Sequence, residues 1–215
     1  MPVVSQDSHA ALSVSLAAAA DALAELGREF AQSGWVPASS GNLSLRLGPD
    51  MILMTRSGVE KGCLRASDFL PVLLSEPIPP GASAEAPLHA ERYRSDGAIG
   101  CVLHVHSRAA AVLSRLVHAR GLDHIALSGW ELQKAIAGQI NPKETFLLPV
   151  FDNEQDTVAL ARQVAARLED TPKARAYVLA GHGLYTWGRD AAEARRHVVA
   201  LDTLLQSELD VRSAS

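Results

Sequence analysis

The feature that most constrains this chain is an apolar stretch at residues 100–107 that carries two histidines. Its sequence, Gly-Cys-Val-Leu-His-Val-His-Ser, is typical of a buried β-strand. Successive side chains of a strand point to opposite faces, so His104 and His106 share one face and Leu103 and Val105 lie on the other. Two imidazoles at positions i and i+2 of one strand face are close enough to bind a single metal ion.

A third imidazole, His182, lies in the string Gly181-His182-Gly183. Glycines on both sides allow the backbone and the ring to approach a site closely. Three neutral histidines with an open fourth position form the usual catalytic zinc centre. The alternative is that His104 and His106 are structural histidines of the core or the surface, and a pair of histidines alone does not decide between the two.

Length and composition limit the number of domains, the kinds of partner and the cellular location to be expected. The 215 residues suit one domain, residues 1–215, with surface left for an oligomer interface. A formal net charge of −4 indicates no basic surface for binding anions, so nucleic acid and anionic membranes are not expected partners.

The sequence also indicates where the protein is located. The N-terminus has no Lys or Arg ahead of an apolar run, and the apolar residues 10–26 are interrupted by polar ones, so neither a secretory signal nor a membrane span is expected. Two cysteines, Cys63 and Cys101, make no disulfide framework, which predicts a reducing cytoplasm.

Helical and extended patterns alternate along the chain, which predicts an α/β class with a mixed sheet between helices. Strands are expected at residues 43–47, 51–54, 69–74, 100–107, 124–127, 145–150, 177–180 and 184–187. Helices are expected at residues 10–33, 84–94, 107–117, 130–137 and 158–168, and from residue 190 onward.

Two polar loops flank the first predicted hairpin, at residues 38–44 and 55–62. Both offer hydroxyl groups and backbone N–H groups freed by glycine, and the second also carries a cation, Lys61. Nests of this kind bind phosphate. Most loops rich in serine and glycine are only turns, so the residues alone leave both interpretations open.

Two glutamates are candidates for acid–base work. Glu131 lies in the first turn of a predicted helix, and Glu85 lies near the start of another that Ser83 is expected to cap. A first-turn glutamate can equally serve only the helix dipole. A metal centre, a carboxylate and a phosphate site together suit proton abstraction beside a ketone, as in aldol cleavage, epimerisation or dehydration. The residues themselves do not separate these three reactions.

The chain resembles the class II aldolase/adducin family, because several short motifs occur in the order and approximate spacing that are typical of that family. They are Ser40-Gly41-Asn42-Leu43-Ser44, Ser57-Gly58, Ser83-Ala84-Glu85, His104-Val105-His106-Ser107 and Gly181-His182-Gly183. The resemblance covers nearly the whole chain. It implies a three-layer α/β/α fold with a central mixed, largely antiparallel sheet, a sugar-phosphate substrate, and a homotetramer with active sites near subunit boundaries.

The resemblance also implies roles for individual residues. It implies one Zn²⁺ per subunit held by His104, His106 and His182, and a substrate phosphate bound by Gly41, Asn42, Ser57, Gly58 and Ser83, to which the loop cation Lys61 is added. Ala84 stands where related aldolases have a second serine, so one phosphate contact is expected to be missing or differently supplied.

The position of the catalytic acid differs between branches of the family. In its aldolases the acid falls at Glu85, whereas strings at residues 129–135, 149–156 and 181–188 resemble its dehydratases and imply Glu131 as the acid/base. A dehydratase is therefore the leading expectation. The alternatives are an aldolase or epimerase with the same metal site, and a non-catalytic adducin-type binding module, which would be expected to lack the metal ligands.

Overall fold

A computed structural model describes residues 6–214, with side chains from Leu16 onward. Its centre is one eight-stranded sheet in the order β3-β2-β1-β4-β8-β7-β6-β5. The strands are β1 Asn42–Gly48, β2 Met51–Thr55, β3 Phe69–Leu73, β4 Cys101–Val105, β5 His124–Leu127, β6 Phe146–Phe151, β7 Ala176–Leu179 and β8 Gly183–Gly188. Every neighbouring pair is antiparallel except β6 and β7. The expected mixed, largely antiparallel sheet is confirmed.

Within residues 6–214, five α-helices cover both faces of the sheet: α1 Gln6–Gln32, α2 Ala86–Ser95, α3 Arg108–His118, α4 Thr157–Glu169 and α5 Ala191–Ala214. Helices α1, α3 and α5 share one apolar core with the sheet, and α2 and α4 share a second core on the other face. The three-layer α/β/α arrangement is therefore confirmed. No helix among residues 6–214 has the length and apolarity needed to cross a membrane.

The histidine strand β4 lies in the middle of this sheet, between β1 and β8. Leu103 and Val105 are fully buried in the core on the α1 side, while Val102 is buried in the core on the α2 side. The predicted alternation is confirmed for the strand. Regular pairing ends at Val105, so His106 lies just beyond the strand on the chain that leads into α3.

Helix α1 shows how the apolar pattern sets the packing. Its residues Leu23, Leu26 and Phe30 are buried, as the three-and-four spacing predicts. The predicted face also included residue 12, whose side chain lies outside the described part of the chain. The helix ends before Gly34, which takes the left-handed conformation (φ +72°) that glycine adopts without strain.

The predicted helix at 130–137 is wrong in length. The structure has only a 3₁₀ turn, Glu131–Ala135. Gln133 is fully buried; its side chain accepts the Trp130 N–H (3.0 Å) and donates to the Glu144 carbonyl (3.0 Å). The local bond to Trp130 and the bond to Glu144, eleven residues away, take the place of the hydrogen bonds of a continuing helix.

The predicted start of α2 also needs correction. Ser83 does not cap the helix, which begins at Ala86 with Glu85 as its N-cap. The carbonyl and hydroxyl of Ser83 instead accept the N–H groups of Ala86 (3.0 Å) and Glu85 (3.3 Å) and so form a turn ahead of the helix. This turn carries Glu85 toward the histidine strand.

A buried polar group joins α2 to the sheet. His89 is fully buried, and its Nδ1 lies 2.7 Å from the hydroxyl of Ser44 on β1, which lies 2.9 Å from the Tyr93 hydroxyl. Burial lowers the pKa of His89 to about 4, so the folded protein holds this ring neutral.

The free energy of unfolding is predicted to fall as the pH drops from about 6.5 to about 4. In that range the unfolded chain protonates His89 at its ordinary pKa of 6.5 while the folded protein does not. The loss from this one group is about 3 kcal/mol at about 1.4 kcal/mol per pKa unit. In urea unfolding, the free energy of unfolding of His89→Gln should change less steeply with pH than that of the parent protein, by up to one proton. Equal slopes for the parent and His89→Gln would contradict this assignment.

Candidate active site

Three histidines converge at one end of the central strands. His104 lies near the end of β4, His106 follows that strand, and His182 lies in the turn between β7 and β8. Their ligand atoms all lie within 4.8 Å of one another. The Nε2 atoms of His106 and His182 are 3.0 Å apart. The structure therefore brings together all three predicted metal ligands, although they are far apart in sequence.

Neighbouring groups orient two of these rings. The Nδ1 of His104 lies 3.2 Å from the Leu184 carbonyl, and that of His182 lies 3.0 Å from Oδ1 of Asn153. A proton on Nδ1 satisfies each bond and leaves the Nε2 lone pair directed at the cluster. The ring of Tyr185 stacks on the His104 ring, with 3.9 Å between the ring centroids and 14° between the planes, and so fixes the orientation of the imidazole.

Burial keeps the rings of His104 and His106 neutral. It lowers the pKa of His104 well below its ordinary value, and together with the nearby His182 it lowers the pKa of His106 to about 4. Neutral imidazole is the form that binds metal ions. The Nε2 of His104 is also buried without a hydrogen-bond partner, an arrangement that costs free energy unless an electron-pair acceptor faces it.

Glu85 lies beside the cluster. Its Oε2 is 3.4 Å from Nε2 of His104, and its Oε1 is 3.4 Å from Nε2 of His182. Oε2 also accepts a hydrogen bond of 2.6 Å from the side-chain amide of Asn42, which donates to the Ser83 hydroxyl as well. One carboxylate therefore sits at the centre of the predicted site, held by a residue of the first polar loop.

Glu131 is not brought to the cluster within this subunit. It lies in the 3₁₀ turn after β5, the edge strand that β6, β7 and β8 separate from β4. Its side chain is 76% exposed and forms an ion pair of 2.6 Å with Lys134. The two candidate carboxylates thus occupy different surroundings.

A cavity of about 340 Å³ opens onto the histidine cluster. Both polar loops line it. All the predicted phosphate contacts are in its wall: Gly41, Asn42, Ser57, Gly58, Lys61 and Ser83. The wall also includes Glu85, His106 and His182. The position of these residues around one space matches what a sugar phosphate needs, with its phosphate at one end and its reacting carbons at the other.

Sequence reasoning missed two residues of this site. Arg56 lines the cavity and adds a second cation to it, while its Nε donates to the Ser67 carbonyl at 3.0 Å. It stands in the same polar loop as Lys61, so the loop sequence contained the signal. Asn153, which orients His182, lies in the string at residues 149–156 that carried the resemblance, but no local pattern gives it a partner 29 residues away.

Glycines permit the close packing around β4. A Cβ on Gly183 would lie 2.4 Å from the carbonyl oxygen of Val105 and 2.9 Å from Cε1 of His104. Gly41 has a left-handed backbone (φ +73°), and a Cβ there would lie 2.7 Å from the His104 carbonyl oxygen. Any larger residue at either position would push the loops away from the histidines.

Comparisons with known proteins agree with this geometry. The family model described as the class II aldolase and adducin N-terminal domain matches residues 21–209. A methylthioribulose-1-phosphate dehydratase from Bradyrhizobium sp. (strain BTAi1 / ATCC BAA-1182) is 48% identical over 202 residues, which cover 92% of this chain and 93% of the relative. One from Serratia proteamaculans (strain 568) is 47% identical over 184 residues, 84% of this chain and 89% of the relative.

Among solved structures, an L-fuculose-1-phosphate aldolase from Thermus thermophilus superposes with a TM-score of 0.75 and 29% sequence identity. The match covers 91% of this chain and 95% of that structure. The extent of the family match and the identity to these relatives lead to one conclusion. The chain belongs to the class II aldolase and adducin family.

Proposed function

We propose that this protein removes water from 5-methylthioribulose 1-phosphate and forms 2,3-diketo-5-methylthiopentyl 1-phosphate, as a step of methionine salvage. Its support is the similarity to methylthioribulose-1-phosphate dehydratases, 44–48% identical over most of the chain. The structural observation that carries the proposal is the histidine cluster with Glu85 at the end of a polar cavity. Two unpaired cysteines suit the cytoplasm in which such an enzyme would work.

We assign the cluster to one Zn²⁺ per subunit. The donor set fits this metal because three imidazole nitrogens leave a coordination position for substrate. The buried, unpartnered Nε2 of His104 fits as well, since a bound cation removes the cost of leaving it unpaired. When bound, a divalent cation would polarise the C2 ketone of the substrate and make its C3 proton more acidic.

The two polar loops bind the phosphate in this proposal. Gly41, Ser57, Gly58 and Ser83 line one space and offer backbone N–H groups and hydroxyls, and Arg56, in the same wall, adds positive charge. Binding energy from the phosphate end orients the sugar so that C2 and C3 reach the cluster. The side chain of Asn42 connects this end to Glu85.

Two carboxylates move the protons. Glu85, beside the cluster, takes the C3 proton, and Glu131 donates a proton to the C4 hydroxyl, which leaves as water. The C3–H and C4–O bonds break, a C3=C4 double bond forms, and the resulting enol takes up a proton at C4 and loses one from its hydroxyl to give the diketone. Because Glu131 is exposed and distant in its own subunit, we propose that a neighbouring subunit of a homotetramer presents it to the site.

A second candidate is a sugar-phosphate aldolase. The contact of Glu85 with two of the clustered histidines favours it, because this is where the family's aldolases are expected to carry their acid. The 29% identity to the L-fuculose-1-phosphate aldolase points the same way. The two reactions differ in whether a carbon–carbon bond breaks, so their products distinguish them.

Zinc-loaded protein is predicted to convert 5-methylthioribulose 1-phosphate to a phosphorylated diketone with loss of one water. Mass spectrometry and ³¹P NMR of the product would check this. Removal of the metal by a chelator should abolish turnover and added zinc should restore it, since a bound cation would stabilise the charge that develops on the ketone oxygen. Release of dihydroxyacetone phosphate from ketose 1-phosphates would instead favour the aldolase.

Glu131→Gln is predicted to lower kcat by about 10²–10⁴-fold, the usual contribution of general acid–base catalysis, while zinc stoichiometry stays near that of the parent protein. His106→Ala should also be inactive, through loss of metal. Mixed tetramers of these two variants should regain activity, because some sites then combine intact histidines with an intact Glu131 from the neighbour. For a cyclic arrangement, equal mixing gives about a quarter of the parent rate.

Native mass spectrometry would verify subunit exchange in this experiment. A mixture that stays inactive after exchange would show that Glu131 acts within its own subunit. Glu131→Gln with most of its rate intact would remove Glu131 from the mechanism and leave Glu85 as the acid.

A further inference from the structure

Lys61 is the most deeply buried cation among the described residues of the two polar loops. The residue is 1% exposed, and its ammonium group donates to the carbonyls of Ser39 (2.6 Å) and Val59 (2.7 Å). One carbonyl belongs to the first polar loop and the other to the second. Burial lowers the pKa of Lys61, while the charges of Glu60 and Glu85 oppose that shift. Two of the three ammonium N–H groups are thus committed to the protein backbone.

The carbonyl of Ser39 belongs to a strained turn. Ala38 (φ 52°, ψ 48°) and Ser39 (φ 62°) are consecutive non-glycine residues in the left-handed region, a conformation that costs free energy at every residue with a Cβ. The turn leads directly into Ser40 and Gly41 in the cavity wall. The hydroxyl of Ser40 is buried without a hydrogen-bond partner. A strained turn of this kind persists only where neighbouring groups hold it.

The backbone of Lys61 is a firm anchor for such a contact. A Cβ on Gly27 of α1 would lie 2.3 Å from the Lys61 carbonyl oxygen and 2.8 Å from Leu64, so this end of the second loop packs directly against the helix. The Lys61 side chain therefore connects the segment packed against α1 to the strained turn at Ala38 and Ser39. A lysine suits this position because its tetrahedral ammonium group can donate to two carbonyls in different loops.

We propose that Lys61 is a positioning residue that holds the strained turn at residues 38–41 in its phosphate-binding conformation. It acts on phosphate affinity mainly through the carbonyl of Ser39. This inference rests on the proposed function, because it assumes that the two loops bind the substrate phosphate. It differs from the sequence-based expectation, in which Lys61 serves as a direct phosphate contact.

The test uses zinc-loaded protein and inorganic phosphate as the probe, measured by calorimetry. Lys61→Met keeps an unbranched side chain, one heavy atom shorter, and removes both hydrogen bonds. We expect phosphate to bind about tenfold more weakly, the effect of losing one hydrogen bond to a charged group at the low end of its usual strength. The KM for the ketose phosphate should rise in parallel, with kcat changed less than about twofold and zinc content unchanged, since the loop acts on binding and not on proton transfer.

Glycines at the strained positions separate positioning from direct contact. Glycine adopts the left-handed conformation at no steric cost, so Ala38→Gly with Ser39→Gly should let the turn keep its shape without the lysine. Added to Lys61→Met, the glycine pair should restore most of the phosphate affinity and most of any lost thermal stability. If the triple variant binds phosphate as weakly as Lys61→Met, Lys61 contacts the phosphate directly and the proposal is overturned.

Hydrogen exchange provides a readout that needs no phosphate. Amides of residues 38–42 should exchange at least about tenfold faster in Lys61→Met than in the parent protein, because local opening becomes easier. Unchanged exchange would overturn the positioning role even if turnover were never detected. If the parent protein binds no phosphate but exchange rises as expected, the assignment of the two loops to the substrate phosphate fails, whereas Lys61 still holds the turn.

Discussion

The antiparallel pairing of β4 with β8 is the interaction on which the rest of the site depends. It places Val105 opposite Leu184 and His104 opposite Tyr185, so the turn before β8 lies at the end of β4. His182 in that turn therefore meets His104 and His106. Because Gly183 has no side chain, the backbones of β4 and β8 can approach each other closely at this point.

The surroundings of the cluster have two parts with different electrostatics. At one end burial keeps the rings of His104 and His106 neutral and Glu85 lies beside them, while two cations, Arg56 and Lys61, line the rest of the same cavity. A divalent cation and a sugar phosphate would bring opposite charges to these two ends. The carboxylate of Glu85 is held by Asn42, so one hydrogen bond of 2.6 Å connects the first polar loop to the carboxylate beside the histidines.

The sequence predicted best those features that depend on neighbouring residues, such as strands and glycine turns. Strand alternation located the histidine strand, and the glycines around His182 marked a close approach; the strand at 124–127 was predicted with correct bounds. Largely antiparallel pairing came only from the family resemblance, because strand order depends on contacts between distant segments. The prediction of a helix at 130–137 was wrong because the spacing of apolar residues does not reveal the hydrogen bond from Gln133 to the Glu144 carbonyl. The contact of Asn153 with His182 likewise depends on tertiary structure, as does the distance of Glu131 from the histidines.

Zinc X-ray absorption spectroscopy would test the central claim, that three distant imidazoles bind one ion. The spectrum of the loaded protein should show three imidazole nitrogens at about 2.0–2.1 Å, with the remaining position filled by oxygen. In His182→Ala the imidazole contribution should fall or the metal should be lost, while the partly exposed His124→Ala should give the parent spectrum. A sulfur ligand, or a spectrum unchanged by His182→Ala, would contradict the account.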